Sequence, residues 1–367
     1  EAAQAEELKF GLPTSDILAP HFVMYVKEWL VDQYGEAMVQ SGGLEVITSL
    51  DYGIQRRSQE AIEQELGRLT GMNVNNGAVM VTRPQTGEIL AMVGSKDYFA
   101  QDEDGKVNVI FSNRQPGSSI KPVNYVTGIK QGYTAAQLFM DVPTTFPGGV
   151  GLPDYNPVNY DGKFRGPILM RQALANSINL PAVKMLKMVG VPAMIETAHD
   201  MGITTLNEPD RYGLALTLGG GEVKLLDMTD VYATLASGGL QRDPVGILKV
   251  ENSNGDVLEE YKDVPGRRVL KEEEAYVISS ILSDNNARAM EFGTNSYLHI
   301  AGHSVAAKTG TTDDKKDNWT LGYTPSLVIG VWVGNNDGTP MNRNLASGVT
   351  GAAPIWNRVF KEFLKDK

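Results

Sequence analysis

The sequence predicts an α+β fold: an antiparallel central sheet of about five strands with helices on both faces. Three observations carry that prediction. Two short apolar runs, 78–82 and 89–93, flank Pro84-Gln85-Thr86-Gly87, a hairpin signal. Three more β-rich segments come late, at 305–311, 319–323 and 327–334. Between these groups, from about 165 to 240, the chain is mostly helical in pattern. A sheet assembled from both ends of a chain leaves the intervening helices to cover its faces.

The elements follow in order. Residues 22–34 have helical apolar spacing, and 44–50 are β-rich. Asp51 is placed to cap a helix running through Ile54, Ala61, Ile62 and Leu66 to Leu69. In the helical middle, 173–189, 194–201 and 225–236 are the clearest segments. A small hairpin is expected over 245–261, turning at Asn252-Ser253-Asn254-Gly255, with a helix over 272–282 after it. Thr324-Pro325 joins the last two strands tightly, and 352–364 forms an amphipathic terminal helix. The change of texture at Gly77 divides the chain into an N-terminal region, 1–76, and one larger domain, 77–367.

Composition narrows the function classes. At 42% hydrophobic and 21% charged, the 367 residues describe an ordinary globular chain. Its 33 basic and 44 acidic residues leave a net charge of −11, which argues against nucleic acid as a partner. There is no cysteine, so disulfides, thiolate metal sites and a cysteine nucleophile are excluded. No stretch approaches the roughly 20 apolar residues that span a bilayer. The start, Glu1-Ala2-Ala3-Gln4-Ala5-Glu6-Glu7, lacks the basic-then-apolar order of a signal peptide and reads as the continuation of a longer chain.

Chemistry gathers at three short motifs. In Ser118-Ser119-Ile120-Lys121 a serine has a lysine three residues on, and no other serine in the chain does. At a helix start the two side chains share a face, so the amine can take the proton of the hydroxyl. Ser119 has Pro122 in the equivalent place. Lys121 is a base only if its pKa falls, and burial or a second ammonium such as Lys308 lowers it. A capped helix start is the structural alternative.

Ser177-Ile178-Asn179 puts a hydroxyl and a carboxamide two residues apart, suited to relaying a proton and holding a substrate amide. The alternative is an N-cap cluster. Ser283-Asp284-Asn285 spells a similar triplet but reads as the polar end of a helix. In Lys308-Thr309-Gly310-Thr311-Thr312 the strand period puts Thr309 and Thr311 on one face, where their hydroxyls can bind a carboxylate. Gly310 lets another backbone come close. The Thr311 N–H could join that of Ser118 in an oxyanion hole. An edge strand rich in β-branched residues is the plainer reading.

Other sites are not expected. There is no H-E-x-x-H, G-x-S-x-G or P-loop match, and Gly219-Gly220-Gly221 reads as a loop. His299 and His303 read as surface or packing residues, and Asp313, Asp314 and Asp317 with Lys315 and Lys316 as a solvated turn. No metal and no cofactor is expected.

The ordered set S-x-x-K, S-x-N, K-T-G resembles the serine penicillin-recognising enzymes. Longer stretches resemble class A penicillin-binding proteins: Arg114-Gln115-Pro116-Gly117 into the serine motif, Arg171-Gln172-Ala173-Leu174-Ala175-Asn176 into Ser177, Leu218-Gly219-Gly220-Gly221-Glu222-Val223, and Gly330-Val331-Trp332-Val333-Gly334. Ile120 and Ala307 depart from the usual Phe and Gly, and Trp319-Thr320-Leu321 replaces an aromatic pair.

The resemblance implies a peptidoglycan D,D-transpeptidase with an acyl-enzyme on Ser118, inhibited covalently by β-lactams, with D,D-carboxypeptidase action on the side. It gives Lys121 as base, Ser177 as proton shuttle and Lys308 as electrostatic partner. Asn179 would position substrate, and Thr309, Gly310 and Thr311 would receive its carboxylate end. The partners would be stem peptides bearing D-Ala-D-Ala and an amine acceptor. The domain would work on the outer face of the bacterial cytoplasmic membrane, tethered only in the full-length protein, and 1–76 would follow an absent glycosyltransferase domain. A β-lactam sensor and a β-lactamase of the same fold remain as alternatives. For the latter, Leu206-Asn207 echoes a loop motif, but Ile203 replaces its glutamate and Glu208 lies on the wrong side.

Overall fold

The computed structural model describes residues 17–100, 104–148, 153–342 and 349–365, so the acidic start at 1–7 lies outside the described residues. The central sheet has five strands in the order Ala306–Thr311, Asp317–Thr324, Leu327–Gly334, Asn76–Thr82 and Ile89–Val93. Every neighbouring pair is antiparallel, with Trp319 opposite Trp332 and Trp332 opposite Ala78. The early hairpin therefore docks onto the late three-strand meander, as its composition predicts.

Both faces of this sheet are buried, so the strands read as continuous apolar runs instead of alternating with polar residues. Along Asn76–Thr82, Val79 and Val81 point into one core with Ile62, Leu66, Trp356 and Phe360. Ala78 and Met80 point into the other, with Leu225, Tyr232 and Ile278. The helices Tyr52–Arg68 and Ala352–Leu364 cover the first face, joined by an ion pair from Arg358 to Glu65 at 2.7 Å. Leu225–Ala236 and Glu272–Ser283 cover the second. Asp51 caps its helix as expected, its carboxylate accepting from the Ile54 N–H at 3.0 Å.

Other elements sit beside this frame. Glu45–Thr48 pairs with Ile247–Glu251, which pairs with Val257–Glu260, so the 44–50 strand and the 245–261 hairpin make one separate three-stranded sheet. The structure corrects the sequence reading in three places. The segment 173–189 is not one helix: Met170–Ala175 and Asn179–Val189 are separated by Ser177 at φ +58°, a left-handed conformation that an α-helix cannot pass through. Leu138–Asp141 pairs with Gly166–Leu169, a short ribbon inside the region read as helical. Asp317 is not in the solvated turn. It begins a strand, is buried, and accepts a hydrogen bond from Trp332 Nε1 at 2.9 Å. Among the described residues, no helix is long and apolar enough to cross a membrane.

Candidate active site

Ser118 lies in a tight 3₁₀ turn, Gly117–Ile120, that runs directly into the helix Lys121–Lys130. The Lys121 N–H donates to the Ser118 carbonyl, so residues i and i+3 are eclipsed. Pro122 fits because the first turn of a helix leaves its N–H groups unpaired. Within the turn the two serines have different fates. Ser119 is buried and its hydroxyl donates to the Pro116 carbonyl at 2.7 Å. Ser118 is half-buried and faces a cavity.

Three glycines let three backbones meet here. A Cβ on Gly117, at φ +54°, would lie 2.5 Å from the Thr311 carbonyl oxygen. One on Gly310 would lie 2.2 Å from the Pro116 oxygen, and one on Gly219 only 2.3 Å from the Gly117 nitrogen. No side chain fits such gaps, so the serine turn meets the edge strand and the Gly219 loop backbone to backbone. Two buried side chains anchor the turn further: Tyr232 donates to the Ser119 carbonyl at 2.9 Å, and Trp319 Nε1 to that of Gln115 at 2.8 Å.

Behind the turn sit two buried lysines. Lys121 Nζ donates to the Ser177 carbonyl at 2.6 Å, to Asn179 Oδ1 at 2.8 Å and to the Ile178 carbonyl at 3.3 Å. It lies 3.5 Å from Ser177 Oγ and makes no hydrogen bond to the Ser118 hydroxyl. Lys308 Nζ donates to Ser177 Oγ at 2.7 Å and to the Thr309 carbonyl at 2.9 Å. Burial, then the charge of Lys308, pushes the Lys121 pKa well below 10.5. Burial, then the charge of Arg288, lowers that of Lys308 to about 7, with Glu291 opposing. The second-ammonium expectation thus has its geometry.

Ser177 supplies the kink that makes this possible. Its left-handed backbone costs on the order of 1–3 kcal/mol, and it turns the Ser177 and Ile178 carbonyls toward Lys121 instead of along a helix. The N-cap alternative for Ser177 and Asn179 fails, since the helix Asn179–Val189 has no side-chain cap of its own. Asn159 does that work from a distant loop. Its Oδ1 accepts from the Asn179 and Leu180 N–H groups at 3.0 and 3.1 Å, and its Nδ2 donates to the buried Asp141 carboxylate. Asn179 spends its side chain on Lys121 and on the Val158 carbonyl at 2.9 Å.

The cavity holds about 300 Å³ and brings Ser118, Ser177, Asn179, Thr309 and Thr311 to one wall-lined space. Lys121, Lys308 and Gly310 are buried behind it. Sequence reasoning missed Asn159, Arg165 and Glu291, which also line it. Arg165 pairs with Asp161 at 3.1 Å and with Glu291 at 3.3 Å. No motif marks these residues, and Glu291 enters from a single-turn helix, Ala289–Phe292. The second serine triplet stays outside, as expected. Ser283 ends a helix and bonds the Ser279 carbonyl, while Asp284 pairs with Arg171 at 3.2 Å. Glu208 is exposed, pairs with Arg211 and does not line the cavity. No group of three metal-ligating side chains occurs among the described residues.

Residues 77–361 match the family model described as the penicillin binding protein transpeptidase domain. Penicillin-binding protein 1A of Rickettsia conorii is 32% identical over 314 residues, covering 80% of this chain and 38% of that protein. Penicillin-binding protein 2D of Bacillus subtilis is 30% identical over 358 residues, covering 95% of this chain and 49% of that protein. The chain thus spans less than half the length of these curated relatives. Among solved structures, PonA1 of Mycobacterium tuberculosis in complex with penicillin V aligns with a TM-score of 0.82 at 25% identity, over 95% of this chain and 94% of that one. Penicillin-binding protein 1A of Haemophilus influenzae, at 21% identity, shares the fold with a TM-score of 0.80, over 95% of this chain and 70% of that one.

Proposed function

The chain belongs to the penicillin-binding protein transpeptidase domain family, and from that premise we propose that it cross-links peptidoglycan stem peptides through an acyl-enzyme on Ser118. The observation that carries this reading is the arrangement of one half-buried serine hydroxyl, two buried amines of lowered pKa and a relay hydroxyl around one cavity.

Ser118 Oγ attacks the carbonyl carbon of the D-Ala-D-Ala peptide bond while its proton passes to Lys121. A neutral amine has two N–H donors and one lone pair. Ser177 O and Asn179 Oδ1 can take the two donors, at 2.6 and 2.8 Å, which leaves the lone pair for the serine proton. The N–H groups of Ser118 and Thr311 hold the developing oxyanion. As the intermediate collapses, the C–N bond breaks and Ser177 relays a proton to the departing D-Ala amine. Thr309 and Thr311 bind the terminal carboxylate beside Gly310, and Lys308 supplies charge. Asn179 positions both Lys121 and the donor peptide. The amine of a neighbouring stem then attacks the ester and frees Ser118, or water does so with carboxypeptidase outcome.

By the same reading, β-lactams acylate Ser118; the similar protein PonA1 has been solved in complex with penicillin V. The domain acts outside the bacterial cytoplasmic membrane, tethered in the full-length protein. Incubation with a fluorescent penicillin and with a D-Ala-D-Ala peptide carrying an acceptor amine tests the proposal. Stable one-to-one labelling plus a cross-linked or trimmed peptide is expected. Rapid release of hydrolysed drug would make the protein a β-lactamase, labelling without peptide processing a sensor, and neither a scaffold.

A further inference from the structure

The cavity that holds Ser118 has a charge pattern of its own. Four charged side chains line it among the described residues: Asp161, Arg165, Glu291 and Asp313. Three carboxylates thus share the wall with one guanidinium. Arg165 lays its fork on Asp161, with Nη1 donating to Oδ1 at 3.3 Å and Nη2 to Oδ2 at 3.1 Å. Glu291 receives only a third contact, from the same Nη2 to its Oε2 at 3.3 Å. Its other oxygen, Oε1, has no hydrogen bond or ion pair among the described residues, and the side chain is 27% exposed.

Both members of this pair are held from behind. The Glu291 N–H donates to Asn176 Oδ1 at 3.0 Å, and Asn176 is buried next to Ser177 with its Nδ2 on the Ala287 carbonyl at 2.7 Å. The Arg165 N–H donates to the buried Asp141 carboxylate at 2.9 Å, the same carboxylate that holds Asn159. The other cations around the cavity are spent elsewhere. Lys308 Nζ is on Ser177 Oγ and the Thr309 carbonyl, Lys121 Nζ on the Ser177 carbonyl and Asn179, and Lys315 Nζ on the Tyr160 hydroxyl at 2.6 Å. None of the three forms an ion pair with Glu291 or Asp313 among the described residues. Burial raises the Glu291 pKa above its usual value, and the charge of Arg165 does not cancel that rise.

We propose that Glu291 sets the ligand specificity of the serine cavity, its carboxylate receiving an ammonium carried on the acyl side of the bond that Ser118 attacks. At about 300 Å³ the cavity is at the small end of ligand pockets, so a molecule that fills it lies against Glu291 as well as the serine. With the carboxylate end of the ligand taken by Thr309 and Thr311, the acyl side is the part left to meet Glu291. The substrate class that follows is a donor peptide with a free side-chain ammonium near its scissile bond. An anionic group in that place would be set against the like charges of Glu291 and Asp313. The assignment rests on Ser118 being the residue acylated.

Three penicillins test it, because they share one nucleus and differ in one substituent on the acyl side chain: ampicillin carries an amine, benzylpenicillin a hydrogen and carbenicillin a carboxylate. Their second-order rates of acylation are measured on the whole chain at about pH 6, below the roughly 7.7 of an α-amine. Each rate is divided by the drug's own rate of alkaline hydrolysis. The order ampicillin, benzylpenicillin, carbenicillin is expected, with about three- to tenfold between neighbours. In Glu291→Gln the ampicillin-to-carbenicillin ratio should fall about three- to tenfold, and in Glu291→Asp, which keeps the charge, it should be largely restored. A ratio taken within one variant is blind to any general change in the reactivity of Ser118 or the lysines. Equal rates or the reverse order in the unaltered chain would overturn the proposal, and so would an unchanged ratio in a folded Glu291→Gln. The order in the unaltered chain needs no variant, so it decides the matter even if the substitution unfolds the protein. Acylation by all three without preference removes the role of Glu291 alone, whereas acylation by none removes Ser118 as nucleophile and this role with it.

Discussion

Lys308 Nζ donates to Ser177 Oγ at 2.7 Å, and that same oxygen lies 3.5 Å from Lys121 Nζ, so one hydroxyl sits between two buried amines. The pair shares a burden: each added proton is disfavoured by burial, and the charge on Lys308 further lowers the Lys121 pKa. Protonation at this site therefore belongs to both lysines together.

A pH profile of acylation reads that coupling. Lys121 accepts a proton only when neutral, and its lowered pKa makes it neutral at pH values well below 10.5. The rate of labelling by a fluorescent penicillin should therefore climb as pH rises along the acid limb. Where the charge of Lys308 is also needed, the rate should turn down above its pKa of about 7. A level profile between about pH 5 and 10 would remove Lys121 from the role of base.

Ser118→Ala should abolish penicillin labelling, seen as loss of the mass increment on the intact protein. Ser119→Ala should keep it, at a stability cost of about 1 kcal/mol for the lost bond to the Pro116 carbonyl. The reverse pattern would move the nucleophile to Ser119.

Glu291 lines the serine cavity and its carboxylate raises the pKa values of both lysines. In Glu291→Gln that support is gone, so both lysines lose their protons at lower pH and the acid limb shifts downward. The broken ion pair with Arg165 is partly exposed and should cost less than about 1 kcal/mol. An unmoved limb in a folded variant would show that Glu291 does not tune the lysines.

Gly310→Ala should be poorly tolerated, because its Cβ would stand 2.2 Å from the Pro116 oxygen and 3.0 Å from Ser119. Overpacking of this kind costs about 1–3 kcal/mol and here would push the edge strand off the serine turn. Thermal unfolding should show the first effect and slowed acylation the second. A variant that acylates at the normal rate would mean that the close backbone approach is dispensable.

Asn159→Ala would strip two N–H groups of the helix Asn179–Val189 of their acceptor and the Asp141 carboxylate of a donor. A loss of about 2–3 kcal/mol is expected in chemical denaturation, with acylation slowed because the Ser177 kink is held by that cap. A change in stability within about 0.5 kcal/mol would deny Asn159 its capping role.

The sequence by itself determined the five strands, the covering helices and the three polar triplets. These are local properties: apolar runs, turn residues and fixed spacings that any reader of the chain can see. It also separated Ser118 from Ser119, since Pro122 denies Ser119 a lysine. Only the tertiary structure decided how the triplets are wired. The break at Ser177, the turning of Lys121 toward Ser177 and Asn179, the cap from Asn159 and the arrival of Glu291 depend on segments far apart in the chain. Buried polar groups take whichever partner the packed backbones bring within about 3 Å. Here that packing is set by Gly117, Gly219 and Gly310; the K-T-G triplet already pointed to a close approach at Gly310, but nothing local marked the partners that Gly117 and Gly219 meet.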